Sequence, residues 1–123
     1  MPIIDVELVQ TDGAEAPEAS LTQALADAAG RVFGSPAGRT WVRLRTLAAA
    51  HYAENGVAMA ADDLPVFATV LHARPPQGPA LVRELETLTQ TLAACLGRTK
   101  QRIHVQYAPA AAGRQAFGGV LVT

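Results

Sequence analysis

The sequence predicts an α/β (α+β) fold made of two successive βαβ units. Three observations carry this reading. Residues 21–31 and 88–98 agree at seven of eleven positions, at an offset of 67. Each copy is preceded by a strand-like stretch opening with proline, Pro2–Val9 and Pro65–His72. Each copy is followed by an apolar–polar alternation, Thr40–Leu47 and Arg102–Tyr107, of the kind a strand with one wet face shows. A helix between two strands points to a parallel βαβ unit with a right-handed crossover.

In chain order, the first strand alternates from Ile4 onward. The first helix opens on Ser20-x-x-Gln23, a capping-box pattern, and carries Leu21, Ala24, Leu25, Ala28 and Val32 on one apolar face. In the second half, Pro79 suits a first helical turn, and Leu81, Leu85, Leu88, Leu92 and Cys95 fall on one stripe. Gly97 suits the C-terminal cap. Loops are expected at 10–16, 48–64 and 73–78, the longest a candidate pocket wall. The tail, 113–122, reads as a turn and a short strand suited to pairing with a neighbouring subunit. The pseudo-repeats span 2–56 and 65–120 within one domain, 1–123, as 123 residues imply.

Composition narrows the function. Half of the residues are hydrophobic but only 5% are aromatic, so Ala, Leu and Val must build the core. Ten basic side chains against eleven acidic ones leave a net charge of −1. That is not the basic footprint of a nucleic-acid binder, nor a polybasic membrane patch. No apolar run approaches the roughly 20 residues of a membrane-spanning helix, and the first residues lack a signal-peptide pattern. The single cysteine, Cys95, has no internal disulfide partner and reads as a small core residue. A cytoplasmic protein is the simplest expectation. His51, His72 and His104 match no zinc spacing, and there is no Gly-rich phosphate loop and no Ser or Cys nucleophile motif. No metal and no cofactor are expected.

With these residues in view, the sequence resembles the tautomerase superfamily, which includes 4-oxalocrotonate tautomerase and macrophage migration inhibitory factor. Four features carry the resemblance. Proline follows the initiator Met and opens the first strand. Leu21-Thr22-Gln23-x-Leu25-Ala26-x-Ala28-x-Gly30 resembles the first helix of the inhibitory factor. Thr40-x-Val42-Arg43 is similar to the arginine-bearing strand of the oxalocrotonate enzyme, and Gly113-x-x-x-Phe117-Gly118-Gly119 to its Gly-rich hairpin. The resemblance implies a four-stranded mixed sheet with two helices on one face, assembled into a homotrimer with the sheets inside. It also implies that the N-terminal proline is a general base, moving a proton between oxygen and carbon of a small 2-oxo or 2-hydroxy-enoic acid.

Pro2 is then the expected catalytic base. After Met removal it is a secondary amine, whose charged form burial and nearby cations both disfavour. A base poised near the operating pH is the most effective. Ile3, Ile4 and Phe117 are candidate apolar walls. A proline that merely opens an edge strand is the alternative. With Met1 retained, Pro2 is an amide, as Pro65 always is, and the chemistry is blocked.

Arg43 and Arg45 share a strand face, and arginine binds carboxylates bidentately. Arg43 matches the family's substrate-carboxylate arginine. Arg74, after the third strand, is the other expected catalytic cation. Arg45, Tyr52, His104, Gln106 and Phe117 complete the expected substrate contacts, with a solvated strand face or loop the alternative for each charged or polar one. His104 and Gln106 stand where the inhibitory factor has a tyrosine and an asparagine.

Two departures stand out. The turn Thr11–Glu15 lacks the arginine of the oxalocrotonate enzyme, and the Cys-x-x-Cys of the inhibitory factor is absent. Two other functions remain open. One is dehalogenation or hydration of unsaturated acids, with Glu54 as a candidate water activator. The other is a non-catalytic trimeric binding protein.

Overall fold

The computed structural model describes residues 1–123. The chain runs β1 (Pro2–Gln10), α1 (Ala19–Phe33), β2 (Trp41–Ala48), β3 (Val66–His72), α2 (Gly78–Leu96), β4 (Ile103–Tyr107), β5 (Ala116–Phe117) and β6 (Val120–Leu121). Short 3-10 turns occupy Ala49–His51 and Lys100–Arg102.

The first four strands form one mixed sheet in the order β2-β1-β3-β4. Each βαβ half contributes a parallel pair, β1 with β2 and β3 with β4. The halves join through the antiparallel β1–β3 pair. This is the mixed sheet that the resemblance implied.

Both helices cover one face. Ile4, Val6 and Leu8 of β1, with Val66, Ala68 and Val70 of β3, pack against Leu25 and Ala29 of α1 and Leu88 and Leu92 of α2. Alternation puts every second strand residue into this layer, and the same period turns the intervening ones to the open face. No helix is long and apolar enough to cross a membrane.

Local details differ from the sequence reading. The capping box does not form: the N-cap is Glu18, two residues before Ser20, so α1 starts at Ala19, and no side chain caps it. Ser20 instead approaches the Glu18 carboxylate at 3.5 Å, and Gln23 bonds Asp27 at 2.9 Å. The helix is also rotated relative to the expected stripe. Ala29 is buried and Ala24 is exposed, because the small residues Ala28 and Ala29 let α1 sit close to the sheet. Pro79 does lie in the first turn of α2, and Gly97 caps it with φ 64°, a left-handed conformation that favours glycine. The tail forms a hairpin within the chain, β5 with β6, turning at Gly118 and Gly119, both at positive φ.

Candidate active site

The strand register decides which candidates meet. Pro2 points to the helix side of β1 and is fully buried. Its cross-strand partner is His72, the last residue of β3. The His72 ring stands 5.8 Å from that of Phe33 at the end of α1. Its Nδ1 accepts a hydrogen bond from the Arg74 amide at 3.1 Å. Burial pushes the His72 imidazolium below its ordinary pKa, the Glu84 carboxylate opposes this, and the positive N-terminus adds to it. A neutral ring with Nδ1 as acceptor carries its proton on Nε2. On the same helix-facing side, Tyr107 donates to Glu84 at 2.5 Å, and burial together with that carboxylate raises the phenol well above its usual range.

Ile3 turns to the open face, in register with Trp41 and Leu71. Trp41 stacks on Phe117, with centroids 4.4 Å apart and planes 18° from parallel. This pair walls an open cleft of about 1080 Å³ that runs around β2, the edge strand, to α1. Ile3, Arg31 and Arg43 also line it. Pro2 does not, so this cleft lies beside the proline rather than over it.

Four arginines surround this end in different states. Arg43 is forked on Asp5, with Nε to Oδ1 at 2.5 Å and Nη2 to Oδ2 at 2.8 Å. The Asp5 carboxyl is held below its ordinary pKa, chiefly by that bond. Arg45 lies opposite Glu7 but makes no ion pair with it. Arg74 and Arg31 are exposed, and neither guanidinium has a side-chain partner.

Tyr52 and His104 gather at the opposite end. Tyr52 donates to Glu54 at 2.5 Å, and Arg102 donates to the same carboxylate oxygen at 2.9 Å. These two bonds hold the Glu54 carboxyl below its usual range. Phe67 lies between the rings, 5.8 Å from Tyr52 and 5.2 Å from His104. Two rows cross the open face: Arg43-Asp5-Thr69-Gln106 and Arg45-Glu7-Phe67-His104. Three strand spacings put the ends of each row roughly 14 Å apart. One chain thus brings Pro2, Arg74, Arg43 and Phe117 to one end, and keeps His104, Gln106 and Tyr52 away from it.

Sequence reasoning missed four residues here: Asp5, Arg31, Trp41 and His72. Arg31 had a signal. It is the repeat equivalent of Arg98, and both follow a glycine. Arg98 donates to the carbonyls of Leu64, at 2.6 Å, and Val9, at 2.9 Å. Leu64 precedes Pro65 as Met1 precedes Pro2. Arg31 makes no such bonds.

No family model and no curated protein sequence match this chain. Solved structures do. A fused 4-OT, a wild-type asymmetric trimer, aligns at TM-score 0.72 with 24% identity, over 97% of this chain and 94% of that one. The macrophage migration inhibitory factor from Oncomelania hupensis aligns at TM-score 0.74 with 20% identity, over 100% and 83%. Pt0534 inactivated by 2-oxo-3-pentynoate aligns at TM-score 0.69 with 17% identity, over 97% and 94%. The chain has the tautomerase superfamily fold.

Proposed function

We propose that this protein is a cofactor-independent tautomerase of a small 2-oxo or 2-hydroxy-enoic acid, with Pro2 as general base once Met1 is removed. The supporting observation is the place of Pro2: fully buried, and paired across the sheet with His72. Burial disfavours the charged amine, and a neutral imidazole adds no competing acid. The amine takes the hydroxyl proton of the enol and returns it to carbon. Arg74 and Arg31, which lack protein partners, supply N–H groups for the carboxylate and for the oxygen that gains charge. Ile3, Trp41 and Phe117 form the apolar wall. Arg45 and Gln106 lie on the open face, where a second chain would meet them.

The fused 4-OT neighbours are trimers, and we extend that assembly to this chain. A homotrimer would bring His104 and Tyr52 of one chain toward Pro2 of another. We place the protein in the cytoplasm, with a small carboxylate as its partner and neither nucleic acid nor membrane. Hydrolytic dehalogenation or hydration on the same site is the weaker reading, because Tyr52 and Arg102 both bond one oxygen of the Glu54 carboxylate and hold its pKa down, which weakens it as a water-activating base. A non-catalytic trimer is the remaining alternative.

The test is ultraviolet-monitored ketonisation of phenylpyruvate enol and 2-hydroxymuconate, with N-terminal mass analysis to verify Met1 removal. Pro2→Ala should lose at least about a hundredfold in kcat/KM, the low end for a general base. Equal rates in both proteins would remove Pro2 from the mechanism. No ketonisation by either would remove the tautomerase reading.

A further inference from the structure

Arg43 lies on the rim of the cleft, but its charge is already answered within the chain. Asp5 faces it directly across the β1–β2 pair, so the register itself delivers the carboxylate to the guanidinium. Two parallel N–H···O bonds at 2.5 and 2.8 Å make the bidentate geometry that an arginine offers a bound acid. The Arg43 side chain is 71% exposed while that of Asp5 is 29% exposed, so the anion is the more enclosed partner. The outer edge of Arg43 keeps free N–H groups, but no net charge remains to offset a second carboxylate. An approaching anion also meets the Asp5 charge at close range.

The other cations at this end are in a different state. Arg31 and Arg74 form no ion pair, although Asp27, one helical turn before Arg31, lines the same cleft, and both guanidinium groups stay open to an anion from solution. No arginine replaces Arg43 in the turn after β1, Thr11–Glu15.

We infer that Asp5 is a specificity determinant of this site: an internal carboxylate that fills the Arg43 fork and biases the cleft toward substrates with one carboxylate over those with two. This rests on the tautomerase reading of the site. An extended dienoate with one acid end places that end on an unpaired arginine and its apolar end against Trp41 and Phe117. A second acid end meets the neutralised Asp5–Arg43 pair.

Sorbate and trans,trans-muconate test this, because they share a six-carbon diene and differ by a methyl group against a carboxylate. Their Kd values are measured by NMR titration of the full chain, wild type and Asp5→Asn, with enol turnover followed alongside. The wild type should bind sorbate at least as tightly as muconate. Asp5→Asn should bind muconate about tenfold more tightly, with sorbate changed less than twofold. Asp5 does not support the helix-side core, so a purely structural role would shift both ligands together.

A wild type that prefers muconate tenfold overturns the inference without recourse to any variant. So does an Asp5→Asn protein with an unchanged muconate-to-sorbate ratio; enol turnover that continues then leaves the tautomerase reading standing. Failure of both ligands to bind either protein overturns the inference together with the carboxylate site on which it rests.

Discussion

Pro2 and His72 face each other across the antiparallel β1–β3 pair, on the side of the sheet that the helices cover. The pairing places an imidazole of lowered pKa beside the residue proposed as base. It also makes the N-terminal end of the sheet sensitive to pH through a group other than the amine.

That sensitivity has a definite sign. The folded His72 pKa lies below its ordinary value of 6.5, so the unfolded chain takes up the proton first as pH falls. The stability contribution is full above about pH 6.5 and is lost as pH drops through the folded pKa. Denaturant titrations between pH 7 and pH 5 should show falling stability in the wild type, and a flatter profile in His72→Phe. An identical slope in both would assign the loss to other groups.

Arg74 has no partner within the chain, so its removal should cost binding rather than folding. A charged hydrogen bond to substrate is worth about 1.5–3 kcal/mol. Arg74→Ala should therefore raise KM for the preferred enol at least roughly tenfold while leaving Tm near that of the wild type. An unchanged KM would place the carboxylate elsewhere.

Arg98 is the opposite case. Its guanidinium bridges the carbonyls of Val9 and Leu64, tying the end of β1 to the entry of β3. Arg98→Ala leaves both acceptors without their donor, at about 1–3 kcal/mol for each group that stays dry. Chemical denaturation should show a loss of about 2 kcal/mol, and Arg98→Lys should recover only part of it, since one ammonium lacks the planar fork. A wild-type midpoint in Arg98→Ala would mean that water replaces the clamp.

Trp41 is the only tryptophan of the chain and stacks on Phe117. Such an aromatic pair contributes about 0.5–1.5 kcal/mol beyond its buried area. Phe117→Ala should shift the fluorescence emission to longer wavelength and weaken the enol KM severalfold. Ligand titration of the wild type should perturb the same signal. An unperturbed spectrum would show that the β5–β6 hairpin does not hold Trp41 in solution.

Much of the fold was legible because period is legible. The alternation of β1 and β3 locates the strands, and Gly97 marks the end of a helix that no other residue type ends so readily. The rotation of α1 was less so, since a run of alanines offers two nearly equivalent faces and packing chooses Ala29 over Ala24. The position of a single residue was also legible, as at Pro2, which opens the first strand. Pairing was not. Asp5 and Arg43 are 38 residues apart, and only the parallel register of β1 and β2 joins them. The same holds for Glu54 and Arg102, separated by 48 residues and brought together when the 48–64 loop folds back over the start of β4.

The duplication sets two prolines at opposite ends of one sheet, each at the mouth of a strand and each sealed from solvent. The fold and the proposed chemistry ask different things of them. At position 65 any residue that fills the space and forgoes a ladder hydrogen bond satisfies the fold, so drift there is limited only by shape. At position 2 the proposed chemistry demands an imino acid with a free nitrogen, and no neighbouring change compensates its loss. Among descendants of this chain, substitutions should accumulate at the second proline long before the first, and a lineage that loses the first has changed its trade.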